Sequence, residues 1–400
     1  MAKWLEKTLG EVTAFIAKGI PPKYTEEENE NTIRVLNQKC NRNFEISYNE
    51  SRIHDCEKKK VPVDKMLRAG DVLINSTGTG TAGRVAQMVE VTVPTTIDGH
   101  MILIRPSEEL DPIYYGYAVK SFQSQIEGLA EGSTGQTEIN RRRLQDEVII
   151  RYPSDKLLQK NIGSFLANID EKIKTNKEIN KNLEQQAQAY FNELFVVNAV
   201  PTWSECTLSD IGTIVAGGTP SKSKPEYYAK QGIAWITPKD LAVDKSKFIS
   251  RGANDISELG FSKSSATKMP AGTVLFSSRA PIGYIAIAQN EVTTNQGFKS
   301  VVPNEAIGTA YVYFLLKNLL PTIEGMASGS TFKEISGTGI KSVPTIMPDM
   351  NTIQRFNNFC EPIFKEQEVL EAENHRLSTL RDSLLPKLMS GELDVSDIDF

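Results

Sequence analysis

The chain repeats itself. Ala69-Gly70-Asp71-Val72-Leu73 returns as Ala271-Gly272-Thr273-Val274-Leu275, and Thr95-Thr96-Ile97-Asp98-Gly99 returns as Thr293-Thr294-Asn295-Gln296-Gly297. The nine residues from Ile126 to Thr134 come back between Ile323 and Thr331, and Leu9-Gly10-Glu11-Val12 is answered by Leu208-Ser209-Asp210-Ile211. A period of roughly 200 residues is far too long for a solenoid unit, so this is a tandem duplication of a whole domain. Two copies of one scaffold imply two related sites. Within each copy, short β-rich runs (71–76 and 97–104, then 273–278 and 297–302) are cut by Gly, Pro, Ser and Thr turns. A helical stretch, 112–128 or 309–325, precedes each Gly-Ser-Thr turn. The expected fold class is therefore α+β, as two globular α/β domains in pseudo-twofold tandem repeat. The segments 26–60 and 221–268 differ between the copies, as expected of loops that read different targets on a shared scaffold.

Each copy runs into a long helix. From about residue 351 to 389, one heptad position reads Phe356, Ile363, Leu370, Leu377, Leu384; the position three before it reads Ile353, Cys360, Gln367, Asn374, Arg381, Leu388. At 1.5 Å per residue such a helix is roughly 50 Å long, longer than a compact domain needs. Pro386 predicts a kink near its end and Gly391 its termination. A single seam needs a partner, and residues 155–195 supply one through Ile162, Phe165, Ile169, Asn176, Ile179, Leu183, Tyr190 and Leu194. The competing expectation is that each helix packs only on its own domain, but neither has the broad apolar face that a globular core wants. Asn176 and Asn374, polar at a-type positions, are the usual device for fixing register in such a pair. The expected layout is two domains separated by an antiparallel coiled coil, with divisions at 1–154, 155–203, 204–350 and 351–400.

Composition narrows the function. Hydrophobic residues make up 40% and charged residues 24%, ordinary for a globular protein. No apolar run reaches membrane-spanning length and the N-terminus has no signal-peptide core, so no membrane partner is expected. Cys40, Cys56, Cys206 and Cys360 form no paired motif, and only three histidines accompany them; no metal site is expected, and a reducing cytoplasm is the simplest setting. The net charge of −5 looks wrong for a nucleic-acid binder, yet it is unevenly held: −3 over residues 1–155, +1 over 156–203, +2 over 204–350 and −5 over 351–400. The acidic last segment suits a protein partner better than phosphate.

Gly78-Thr79-Gly80-Thr81-Ala82-Gly83 fits a dinucleotide fingerprint, which would make the chain a nucleotide-dependent enzyme. However, Arg84-Val85-Ala86-Gln87-Met88-Val89 alternates like a strand where that motif needs a helix. A turn offering backbone N–H groups and Arg84 to a phosphate backbone is the better reading. Ile20-Pro21-Pro22-Lys23 lacks the flanking residues of an amino-methyltransferase motif, and no nucleophile–base constellation, phosphate-binding loop or nuclease-like acidic cluster is visible. No catalysis and no cofactor are expected of this chain itself.

In the second copy five turns carry polar side chains suited to phosphates and base edges: Gly217-Gly218-Thr219-Pro220-Ser221-Lys222, Trp235-Ile236-Thr237-Pro238-Lys239-Asp240-Leu241, Ser277-Ser278-Arg279-Ala280-Pro281-Ile282-Gly283, Thr293-Thr294-Asn295-Gln296-Gly297 and Gly329-Ser330-Thr331-Phe332-Lys333-Glu334-Ile335. Turn formation alone would also account for each of them singly. The candidate DNA-contacting residues are Thr219, Lys222, Ser278, Arg279, Asn295, Gln296 and Lys333, with Lys23, Arg84 and Arg141 in the first copy.

These five turns, with the closing Leu384-Leu385-Pro386-Lys387-Leu388-Met389-Ser390-Gly391-Glu392-Leu393, resemble the DNA-specificity subunit of bacterial and archaeal type I restriction–modification systems. The likeness spans essentially the whole chain. It is most specific from about Leu208 onward; the first copy has 77–83 in place of the Ser-Ser-Arg-Ala-Pro-Ile-Gly turn, Asp98-Gly99-His100 in place of Asn-Gln-Gly, and no Gly-Gly-Thr-Pro. The resemblance implies a non-catalytic subunit with two target-recognition domains, each reading one half of a bipartite, asymmetric site in double-stranded DNA. It implies two methyltransferase subunits docked on the helical regions, and restriction–translocase subunits that can join. S-adenosylmethionine, ATP and Mg would then be needed only on those partners. A recognition subunit of another type-I-like defence or modification complex is the alternative.

Overall fold

A computed structural model describes residues 3–132, 137–329 and 333–393. Ser133-Thr134 and Ser330-Thr331-Phe332 of the repeated turns lie outside the described residues, as do the last seven residues of the acidic segment. The chain divides into two units, residues 1–173 with 376–400 and residues 174–375.

In the first unit, strands Thr13–Lys18, Met101–Pro106, Val72–Asn75 and Val85–Gln87 form an antiparallel sheet in that order. A second sheet runs Thr95–Ile97, Thr32–Leu36, Arg52–Asp55, Tyr24–Thr25, with only its first pair parallel. Helix Pro112–Ser121 packs Tyr114, Tyr115 and Val119 into the core; Asp111 caps its first turn through Ile113 N–H (2.9 Å) and Tyr114 N–H (3.0 Å).

The second unit rebuilds the same plan. Gly212–Ala216, Lys299–Pro303, Val274–Ser278 and Ile282–Ala288 repeat the first sheet, extended by Phe248–Ile249. Thr293–Thr294, Ile233–Ile236, Asn254–Ile256 and Tyr228–Ala229 repeat the second, again with only the first pair parallel. Gly70 and Gly272 each hold a positive φ and donate N–H to Met88 and Ala288 respectively, both at 2.8 Å. The duplication read from the sequence is thus a duplication of topology and of hydrogen bonds.

The expected long helices are Lys156–Asn192, followed by a π-helical turn Glu193–Val197, and Met350–Ser390. Asp155 and Asp349 cap them through Leu157 N–H and Thr352 N–H, both 2.9 Å. The second helix continues through Pro386 and stops where expected, at Gly391 (φ +72°). A Cβ there would sit 2.6 Å from the Trp4 indole, so glycine is required twice over. Each helix contributes to both units. In the first unit Asp170 accepts from Arg381 at 2.5 Å and from Tyr117 OH at 2.6 Å. In the second unit Asn176, fully buried, donates to Asn374 at 3.0 Å and to Glu373 at 2.7 Å, and Gln367 donates to the Asn180 carbonyl at 3.0 Å. The two polar positions singled out in the seams therefore meet each other.

The second unit also buries an ionic cluster. Lys247 Nζ bonds the Glu184 carboxylate and Gln367 Oε1 (2.5 Å), while Lys317 approaches Glu184 at 2.5 Å. Burial alone would raise the Glu184 carboxyl, but Lys247 and Lys317 hold it below its ordinary value. The Lys247 ammonium lies 4.2 Å from the Phe364 ring centroid and 4.8 Å from that of Tyr313. Lys247→Ala should destabilise the protein by about 3 kcal/mol, because it removes one partner of a buried pair and the stem packed on those rings. A loss under about 1 kcal/mol in denaturant unfolding would show that Lys317 alone satisfies Glu184.

Candidate nucleic-acid interface

The turns of the second unit converge. Gly218 N–H donates to Thr294 O (2.9 Å), Gln296 N–H to Thr219 Oγ1 (3.5 Å), Ser278 N–H to Gly297 O (2.8 Å) and Ile335 N–H to Ser278 O (3.1 Å). Arg279 and Glu334 form a backbone bridge. A Cβ on Gly217 would lie 1.9 Å from the Asn295 carbonyl, so only glycine lets these two turns meet.

The same contacts exist in the first unit. Gly19 there takes the place of Gly217: its hypothetical Cβ would meet the Asp98 carbonyl at 2.1 Å. Gly19 N–H donates to Met101 O (3.1 Å) as Gly217 N–H does to Phe298 O (3.3 Å). Ile20 N–H donates to Ile97 O as Gly218 N–H does to Thr294 O, both at 2.9 Å. The segment from Gly19 to Lys23 is therefore the first copy's version of the Gly-Gly-Thr-Pro-Ser turn, which the sequence comparison had missing. The next turn fixes the register between the copies. Asp98 Oδ1 accepts His100 N–H (2.9 Å) as Asn295 Oδ1 accepts Gly297 N–H (2.8 Å), and Ser76 N–H donates to His100 O as Ser278 N–H does to Gly297 O. Asp98 thus matches Asn295, in the register that sets Asp98-Gly99-His100 against Asn-Gln-Gly and one position away from the register that pairs Gly99 with Gly297. What both copies keep is a side-chain oxygen two residues ahead of the N–H it must cap.

The candidate side chains separate by environment. Lys222, Gln296, Lys333, Lys23 and Arg141 are exposed. Thr219 is half-buried, its hydroxyl accepting from the next turn. Asn295 is half-buried and ties its own loop. Arg279 is half-exposed and paired with Glu334 at 3.3 Å. Arg84 closes its own turn by donating to Gly80 O at 3.0 Å. Ser278 is corrected: it is fully buried at the end of strand Val274–Ser278, and its Oγ donates to Gly297 O at 3.1 Å. The turn residues that follow it suggest a loop position, but it closes a strand and its hydroxyl has no exposed surface.

The glycine-rich segment at 78–83 joins two antiparallel strands, Val72–Asn75 and Val85–Gln87, with Gly78, Gly80 and Gly83 at positive φ. A dinucleotide fingerprint needs a helix N-terminus at that point, and a strand stands there instead. His54 is buried, accepting Lys23 N–H at 2.8 Å, a structural role. Among the described residues no cluster of His, Cys, Asp or Glu could hold a metal ion, and no helix is long and apolar enough to cross a membrane.

Sequence reasoning missed several cations of the first unit. Lys59 Nζ reaches Pro21 O (3.2 Å) and Lys65 Nζ reaches Gly19 O (3.4 Å). Lys18 lines an open cleft of about 580 Å³ with Glu138, Asn140, Arg141 and Arg142. Several lysines and arginines of a stretch with net charge −3 therefore lie near one turn. The sequence signals are the runs Lys58-Lys59-Lys60 and Arg141-Arg142-Arg143, both far along the chain from Gly19.

Each unit is thus a sheet scaffold that brings cations, amides and hydroxyls to one loop cluster, and the chain carries that scaffold twice. The family model described as the type I restriction modification DNA specificity domain matches residues 1–185 and again 201–374. The chain belongs to that family. It is 37% identical over 190 residues to the type I restriction enzyme MjaIX specificity subunit of Methanocaldococcus jannaschii, covering 45% of this chain and 44% of that protein. It is 28% identical over 222 residues to the HindI specificity subunit of Haemophilus influenzae, covering 53% of this chain and 48% of that protein. The chain thus spans a little under half the length of these two relatives. Its fold matches the crystal structure of the type I restriction–modification S subunit from M. genitalium with a TM-score of 0.61 at 19% identity, over 99% of this chain and 97% of that one.

Proposed function

We propose that this chain is the non-catalytic DNA-specificity subunit of a type I restriction–modification complex, and that its two units are target-recognition domains reading the two halves of a bipartite duplex site. The two long helices pair antiparallel as the spacer between the readers. Two methyltransferase subunits dock on those helical regions and restriction–translocase subunits join them; S-adenosylmethionine, ATP and Mg act on those partners. One observation carries the reading: the same loop cluster is built twice from the same backbone hydrogen bonds, while the side chains on it differ. That is what two readers of unlike half-sites require, with the scaffold fixed and the contacts free to vary. Sequencing the methylome of the host with and without this gene tests it. Methylation at one bipartite motif should vanish without the gene; an unchanged methylome would overturn the reading.

Lys222 and Gln296 have separable roles here. Lys222→Ala should weaken binding to every duplex alike and flatten the salt slope by about one unit, the signature of one lost phosphate contact. Gln296→Ala should instead cost roughly 1–3 kcal/mol on the specific site and relax one base position. Titrations at several salt concentrations distinguish them, and a Lys222→Ala slope equal to wild type would remove that lysine from the interface.

A further inference from the structure

The two copies of the domain form an internal comparison, and one charged side chain survives it inside the loop cluster. Thr137-Glu138-Ile139-Asn140 matches Lys333-Glu334-Ile335-Ser336. Ile139 and Ile335 are both buried, and Asn140 and Ser336 both cap the short helix that follows, through Arg142 N–H and Gly339 N–H. Thr77 bridges Glu138 as Arg279 bridges Glu334.

The cation each glutamate meets has changed. Glu334 holds Arg279 from the facing strand end. It also draws on Lys299, whose ammonium is pushed below its ordinary pKa chiefly by burial, with Glu334 opposing that shift. In the first unit threonine replaces Arg279, and Glu138 bonds Lys18, which comes from strand Thr13–Lys18. An acidic residue amid cations meant for phosphate is a liability for affinity, since it repels the ligand and occupies a donor. A buried core would explain retention of Ile139 and Ile335. It does not explain a part-exposed carboxylate that has found a different cation in each copy.

We infer that Glu138 and Glu334 are positioning residues for specificity, each holding one cation of its loop cluster back from the phosphate backbone of non-target DNA. This inference rests on the proposed DNA-reading function. Non-specific affinity is supplied by phosphate contacts alone, whereas a correct site adds base contacts. A carboxylate that occupies Arg279 or Lys18 lowers the phosphate contribution on every sequence. Discrimination then depends on the base contacts, which only the correct site offers.

The test uses the full chain and a duplex of arbitrary sequence, titrated from low to moderate salt. Glu334→Gln and Glu138→Gln should each raise affinity for that duplex several-fold and steepen the logarithmic salt slope by about 0.9, the increment for one added phosphate contact on duplex DNA. The sign separates this from structural damage, which would weaken binding. Glu305→Gln is the control for net charge. Glu305 lies beyond the Pro303 end of the strand whose other end carries Lys299, and it should change the slope less. Adding Arg279→Gln to Glu334→Gln should remove most of the gain, because Arg279 is the cation that Glu334 pairs with directly and only the more buried Lys299 remains. Affinity and slope unchanged in the glutamate variants, or a gain equal to that of Glu305→Gln, would overturn the inference. If wild type itself shows no salt-dependent DNA binding, the proposed function fails first.

Discussion

Phe356→Ala should destabilise the protein by about 3–5 kcal/mol, the range for removing a fully buried phenylalanine. Phe356 has no exposed surface, and its ring packs on Phe314 (5.7 Å between centroids), Phe191 (5.5 Å) and Phe195 (5.5 Å). All three contacts are edge-on, the arrangement aromatic quadrupoles favour. The residues come from three separate stretches: Phe356 from the second long helix, Phe191 and Phe195 from the end of the first, and Phe314 from helix Thr309–Met326. The cavity left by alanine would therefore loosen both long helices from the second domain at once, and each of those helices has too little apolar face to stand alone. Phe356→Leu, which refills most of the volume, should lose markedly less. Equilibrium unfolding in denaturant measures both. A loss under about 1.5 kcal/mol for the alanine variant would mean that the surrounding rings collapse to fill the space, and that this cluster is not what seats the helices.

That cluster also shows what the sequence could convey. Phe356 stood out because a heptad repeats one residue type at one spacing, and a helix converts spacing directly into a face. Asn176 and Asn374 were legible for the same reason: a polar residue interrupting an apolar seam is conspicuous, and the two do bond each other. The duplicated strands were legible where the demand falls on residue identity, as at Gly70 and Gly272, whose backbone needs a positive φ.

The loop cluster was only half legible, because it is held together by backbone groups that any residue can supply. The turn at Gly19 shares with the one at Gly217 little beyond the glycine that must lack a Cβ, so a comparison of residues passed over it. Asp98 and Asn295 differ in residue type and offer the same oxygen to a turn N–H, so residue identity leaves two registers open, one matching Asp98 to Asn295 and one matching Gly99 to Gly297. Lys18, Lys59 and Lys65 come together only when the two sheets form. Ser278 misled for the converse reason. Serine is common in loops and equally acceptable at a strand end where its hydroxyl finds a carbonyl, and only the alternation of the strand decides which way it faces.

On the proposed two-reader function, transplanting residues 204–350 from a relative with a different target should change one half of the recognised site and leave the other untouched. The first unit owes nothing to that segment for its sheets: strands Thr13–Lys18, Met101–Pro106, Val72–Asn75 and Val85–Gln87 all lie before it in the chain. Its core closes with Leu385, Leu388 and Met389, which lie after it. The graft must keep what seats the second domain on the helices, namely Tyr311, Phe314, Lys247 and Lys317, since Phe191, Glu184 and Gln367 on the retained helices expect them. Independent readers contribute additively, so on the proposed function the half-site preferences should combine without interference. The expected result by methylation mapping is a new motif with one half from each parent and the original spacing, because both helices are those of this chain. A motif altered in both halves would show that the two clusters read one composite site. A folded chimera that methylates nowhere would show that each reader depends on the identity of the other, and the account of two independent readers would fail.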